Sequence, residues 1–134
     1  MSGIRLPLAL LMGLMLIYDG YCLAARMMPP FVQGGVASWY GLEEQGNLTA
    51  NGETFNRHKF TAASRHLPFN TVVRVTNEAN GRSVNVRIND RGPYAKGRVL
   101  DLSEAAADRL DMKHSGTAQV NIQVVQPAPA QASP

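Results

Sequence analysis

The alternation of apolar and polar residues is clearest over Ser83–Asn89, Ser-Val-Asn-Val-Arg-Ile-Asn. Val84, Val86 and Ile88 fall on one face and Asn85, Arg87 and Asn89 on the other, the period of a half-buried strand. One further step puts Asp90 in phase with the apolar face, directly before the breakers of Arg91-Gly92-Pro93. Thr71–Asn77 predicts a partner strand, and Asn80-Gly81 turns the two into a hairpin with a five-residue connection. Val73 and Val75 against Val84, Val86 and Ile88 are the expected heart of the core. Thr117–Val125 alternates as cleanly and predicts a closing strand. Shorter strands are predicted over Val36–Tyr40, Phe60–Ala63 and Arg98–Leu102. Ser103 is a good N-cap and Glu104 suits a first turn, so one short helix is expected to run to about Leu110. Leu42–Asn56 is a polar loop in which the Asn51-Gly52 turn aims Glu53. Six or so short strands, one helix and many turns in ~90 residues predict a small all-β barrel or sandwich.

The ends of the 134-residue chain read differently. Met1–Arg5 is short and positive, Leu6–Ile17 is almost wholly apolar, and Cys22-Leu23-Ala24 offers small residues where a signal peptidase reads. Residues 1–25 are therefore expected to be a signal peptide, too short in their apolar run for the ~20 residues of a spanning helix. The mature chain is expected to carry no transmembrane helix. Cys22 is the only cysteine. It leaves with the signal, or it carries a lipid anchor, which the bulky Tyr21 before it disfavours. A disulfide within the mature chain is excluded in both cases. The expected division is a flexible lead-in over 26–34, a folded domain over 35–125 and a disordered Pro/Ala tail over 126–134. Cleavage removes one base, Arg5, and one acid, Asp19, so the formal charge stays at +3. That balance, without an aromatic-and-basic stripe, gives no case for nucleic acid.

Two carboxylates stand out chemically. Asp90, at a strand end on the rim of the core, is expected to lose hydration, which favours a protonated acid able to act as a general acid. The plainer reading is an Asp that bonds the backbone of the following turn. Glu53 follows a turn that aims it, although a loop glutamate is ordinarily a solvated charge. Trp39 is either a core anchor or a platform for a sugar ring. Asp101, just before the helix cap, is expected to bond backbone near the helix start. His58, His66 and His114 have no metal-like spacing, and neither a nucleophile elbow nor a glycine-rich phosphate loop is present.

Gly35-Val-Ala-Ser-Trp-Tyr-Gly41, Thr49-Ala-Asn-Gly-Glu53, Thr61-Ala-Ala63, Asn89-Asp-Arg-Gly-Pro93 and Asp101-Leu-Ser103 together closely resemble the rare lipoprotein A (RlpA) family. They do so in order and at matching spacing. The resemblance implies a six-stranded double-psi β-barrel. It also implies an exported, periplasmic lytic transglycosylase, a lyase that acts on peptidoglycan glycan strands without metal or cofactor. Such an enzyme cuts the β-1,4 bond from N-acetylmuramic acid to N-acetylglucosamine and leaves a 1,6-anhydromuramyl end, with septal members preferring strands stripped of stem peptides. The family's two acidic positions fall on Glu53 and Asp90, which become the expected catalytic pair. Asn89 and Arg91, with Trp39, Tyr40 and Asn51, are the expected substrate contacts. Where the family has Phe-His-Gly this chain has Glu44-Gln45-Gly46, and Ser64 replaces a histidine. Those departures sustain the alternative of an expansin-like barrel that binds peptidoglycan without cutting it. The stretch after Val125 leaves no room for the SPOR module of many relatives, so septal targeting by that route is not expected.

Overall fold

The computed structural model describes residues 32–130. The expected signal peptide over residues 1–25 with Cys22, residues 26–31 of the expected lead-in and residues 131–134 of the expected tail lie outside the described residues. The strands are β1 (Val32–Tyr40), β2 (Thr61–Ala63), β3 (Val72–Asn77), β4 (Ser83–Asp90), β5 (Arg98–Ser103) and β6 (Thr117–Gln126). The helix α1 (Glu104–Arg109) follows β5, and a single 3₁₀ turn over Leu42–Glu44 follows β1. Among the described residues no helix is long and apolar enough to cross a membrane.

The strands close into a barrel in the order β1-β5-β2-β4-β3-β6. The pairs β1–β5 and β2–β4 are parallel, and the remaining neighbours are antiparallel. The β3–β4 hairpin pairs Val73 with Val86 and Val75 with Val84, as the alternation predicts. These four side chains and Ile88 are buried with Leu100, Leu102, Val120 and Ile122 in one core. Ser103 caps α1 by accepting a hydrogen bond from the Ala106 N–H. Ala106, Ala107, Leu110 and Met112 then bury the helix's inner side and the turn after it against the barrel.

Two β-bulges set the positions that matter for function. On β5, Val36 faces Arg98 while Ala37 faces Leu100, so Val99 is the extra residue. It bulges onto Gly35, where an added Cβ would stand 2.6 Å from Val99 Cγ1. Gly35 is therefore a point of close approach within a strand. The consequence is that β1 begins at Val32, inside the stretch expected to be a flexible lead-in, with Gly34 paired to Asn121 and Gly35 to Val120. At the other end, β6 extends to Gln126, the first residue of the expected tail, because Val72 pairs with it. The second bulge lies on β4. Ala62 faces Ile88 and Ala63 faces Asp90, leaving Asn89 as the extra residue. The simple count of alternation ends there, so Asn89 is buried and Asp90 is turned from the core onto the rim.

Candidate active site

Asp90 ends β4 in a half-buried position. Its Oδ1 accepts the Ala50 N–H at 2.9 Å and its own neighbour's, Arg91 N–H, at 2.8 Å. The first bond ties the Thr49–Glu53 loop to the strand end. A second tie is the Asn51 N–H, which donates to the Asn89 carbonyl at 3.3 Å. The backbone bonds are those of the plainer reading of Asp90. One oxygen bonds turn backbone, and the carboxyl group lines a cleft of about 280 Å³ with Tyr40, Glu44, Phe55, Arg91 and Asp101.

Asp101 is the site residue that sequence reasoning missed. It is opposite Ser38 on the parallel neighbour β1, and the Ser38 hydroxyl donates to its Oδ1. Its carboxylate is thereby held in the cleft, while the backbone at the helix start is capped by Ser103. The Val99 bulge creates that Ser38–Asp101 register, and no local pattern in the chain announces it. The Asp-Leu-Ser motif was the one available signal.

Tyr40 fills the cleft floor against Phe55, ring centroids 4.6 Å apart. Its hydroxyl is buried and has no hydrogen-bond partner among the described residues. Burial, and then the negative charges of Asp90 and Asp101, push the phenol well above the ordinary tyrosine range, so it stays protonated. It is a buried O–H in a cleft lined also by the carboxyl groups of Glu44, Asp90 and Asp101.

Glu53 lies on the far side of its loop, in a wider cleft of about 870 Å³ lined by Ala50, Asn51, Phe69, Asn70 and Arg91 and by Ala128–Ala130. Arg87 grips it through both nitrogens, Nη1 to Oε1 at 2.6 Å and Nη2 to Oε2 at 2.8 Å. The Asn51 amide adds a bond at 2.9 Å and the Asn89 amide one at 3.4 Å. The Arg87 hydrogen bond, helped by those two amides, holds the Glu53 carboxyl down to about 2. Glu53 is thus a fixed anion near neutral pH and a weak base. Arg87 went unnoticed as its partner because the two are 34 residues apart.

The expected substrate contacts divide. Arg91 lines both clefts, Tyr40 the narrow one and Asn51 the wide one. Asn51 is largely occupied within its own loop, accepting from the Thr49 hydroxyl and the Glu53 N–H. Two others are corrected by their placement. Asn89 is buried under Glu53 by the β4 bulge and lines neither cleft. Trp39, next to Tyr40 but on the opposite face of β1, packs against the core with Lys113 Nζ 5.9 Å above its ring. Its placement is that of a partly buried core anchor.

The departures from the family pattern have structural uses. Glu44 Oε2 accepts the Gly41 N–H at 3.0 Å, and Gln45 Oε1 accepts the Arg57 N–H at 2.8 Å. Ser64, buried, accepts the N–H groups of His66 and Leu67 and folds that loop back on the strand end. His66 is exposed and lies in neither cleft.

Comparison with known proteins agrees with the fold and the motifs. The lytic transglycolase family matches residues 32–122. The chain is 52% identical over 91 residues to the endolytic peptidoglycan transglycosylase RlpA of Campylobacter jejuni, covering 68% of this chain and 33% of that protein. It is 47% identical over 123 residues to a probable enzyme of the same name from Synechocystis, covering 92% of this chain and 37% of that one. The chain thus spans about a third of the length of these curated relatives. Among solved structures, a Streptomyces papain inhibitor superposes with a TM-score of 0.60 at 20% identity, covering 74% of this chain and 98% of the inhibitor. The apo expansin of Clavibacter michiganensis gives 0.58 at 24% identity, covering 78% and 54%. At those identities the two structures speak for the double-psi barrel alone. With the family match running from the start of β1 into β6, the chain belongs to the lytic transglycolase family, that of the RlpA proteins.

Proposed function

We propose that this barrel is an endolytic peptidoglycan transglycosylase, exported to the periplasm, that cleaves between N-acetylmuramic acid and N-acetylglucosamine on denuded strands. The observation that carries the reading is the Asp90 carboxyl group, fixed at one oxygen by two backbone N–H groups and facing a cleft shared with Asp101 and the Tyr40 hydroxyl. The names of the similar proteins supply the substrate, and the cleft supplies the groups.

In this mechanism Asp90 protonates the glycosidic oxygen as the bond from muramic C1 breaks. Positive charge grows on C1 and the ring oxygen, where the Asp101 carboxylate stabilises it. The muramic 6-hydroxyl closes on C1, and its proton returns to Asp90, so no water is consumed. Acid–base help of this kind is worth ~10²–10⁴-fold. Glu53 does not exchange protons. Paired with Arg87, it holds the loop whose Ala50 N–H sets Asp90.

Purified chain and Asp90→Asn are incubated with denuded and with intact peptidoglycan, and the soluble products are analysed by mass spectrometry. Anhydromuramyl fragments from the wild type alone are expected. Products with a reducing muramic end instead would make the enzyme a hydrolase. Binding without any product would leave a barrel that grips glycan and does not cut it.

A further inference from the structure

Arg91 is a pinned cation at the junction of the two clefts, without an ion pair among the described residues. Its Nη1 donates to the carbonyls of Leu67 at 2.9 Å and Ser64 at 3.1 Å. One face of its guanidinium lies on the Phe69 ring, 3.8 Å from the centroid. The Nε–Nη2 edge makes no hydrogen bond among the described residues, and no carboxylate there forms an ion pair with it. The neighbouring acids are spoken for, Glu53 by Arg87 and Asp90 Oδ1 by backbone N–H groups. In the lining of the wide cleft Arg91 is the sole cation.

A guanidinium held by two carbonyls and an aromatic face has little rotamer freedom left to lose on binding. Its open edge is a planar two-donor fork, which matches a carboxylate. Such a group is poorly used on the neutral hydroxyls and acetamides of a glycan. Muramic acid differs from glucosamine in carrying a lactyl ether. When a stem peptide is attached, that lactyl carbonyl is a neutral amide; when the peptide has been removed, it is a free carboxylate.

We propose that Arg91 is the specificity-determining residue that binds the free lactyl carboxylate of a muramic residue lying beside Asp90. The proposal rests on the glycan-strand reading and adds the group by which a denuded strand is distinguished. The Nε–Nη2 edge then receives both carboxylate oxygens. An amidated lactyl group loses the charge and one acceptor, and a bulky peptide meets Phe69 and Pro68 on the cleft wall.

The test is a binding measurement and needs no turnover. Short strands of alternating N-acetylglucosamine and muramic acid are prepared with the lactyl group free and with it converted to a methylamide. Chitooligosaccharides of equal length, which lack the lactyl group, are a third ligand. Each is titrated into the wild-type chain, Arg91→Gln and Arg91→Lys by calorimetry. The wild type is expected to prefer the free acid over the methylamide by about tenfold or more. Arg91→Gln is expected to bind the two alike, and Arg91→Lys to retain part of the preference. A wild type that binds acid and methylamide equally overturns the proposal, a result that does not depend on either variant folding. So does an Arg91→Gln that keeps the full preference. If the preference is present but no anhydromuramyl product is ever formed, the transglycosylase reading fails and the Arg91 assignment stands.

Discussion

Asp90 on β4 and Asp101 on β5 flank the same residue, because each is the register partner of Ala63 on β2. Strands two apart lie about 10 Å from one another, and both residues line the narrow cleft. The sequence motifs suggested Asp90 and Glu53 as the acidic pair. The barrel places Asp101 in the same cleft as Asp90 and Glu53 in the adjoining one.

Asp101→Asn is expected to lower turnover of soluble glycan at least tenfold while the domain stays folded. The Ser38 hydroxyl keeps a carbonyl acceptor, so the loss of stability is limited to ~1–2 kcal/mol for exchanging a charged hydrogen bond for a neutral one. Product release by mass spectrometry and a thermal melt check both halves. A residue serving only the helix start would move the melt and leave turnover alone.

Stability is expected to depend on pH through Glu53. Its carboxyl titrates near 2 when folded, against an ordinary 4.5. A depressed carboxylate contributes stability above its unfolded value and loses it as pH falls towards its folded one. The contribution is present above about pH 5 and fades between roughly 4.5 and 2. Glu53 and Arg87 are each more than a third exposed at the side chain, so solvent screening keeps the effect small. Urea melts from pH 6 to 2 on the wild type and Glu53→Gln check it: the acid-side slope is shallower in the variant.

Tyr40→Phe removes a buried hydroxyl that has no hydrogen-bond partner among the described residues. The fold is expected to keep its stability or gain up to ~1 kcal/mol, since an unsatisfied polar group is lost and the Phe55 stacking remains. Turnover is expected to fall, because the cleft then loses the O–H that it places beside Asp90 and Asp101. A melt showing marked destabilisation would mean that the hydroxyl is satisfied in solution.

Gly35→Ala drives a methyl group into Val99, at 2.6 Å from one γ-carbon and 2.7 Å from the other. Overpacking of that kind costs ~1–3 kcal/mol. The added strain falls on the bulge that sets Ser38 against Asp101, so activity is expected to drop further than stability alone explains. The double variant Gly35→Ala/Val99→Ala is expected to recover most of the melting temperature.

Most of the scaffold is legible along the chain. Period-two alternation marks β3, β4 and β6, turn residues mark the hairpin, and Ser103 marks the start of the helix. These are near-neighbour effects: the side-chain face, the turn conformation and the cap each depend on residues a few positions apart. Asp90 is found the same way, because an acid at the end of an apolar face is conspicuous by itself.

What the chain alone does not decide is which strand lies beside which, and the site is made of those adjacencies. Ser38 meets Asp101 across 63 residues and Glu53 meets Arg87 across 34. Parallel neighbours in a barrel leave no local trace, since their pairing depends on how the connections cross and not on the composition of either strand. The two bulges are likewise properties of strand pairs, one residue too many on one side, and they bury Asn89, turn Asp90 onto the rim and set Asp101 in register. Sequence determined the strands, the hairpin, the cap and one acid. Tertiary structure decided which acids face each other, which one is locked as an anion, and which arginine is left with a free edge, because those outcomes depend on distances that only closure of the barrel creates.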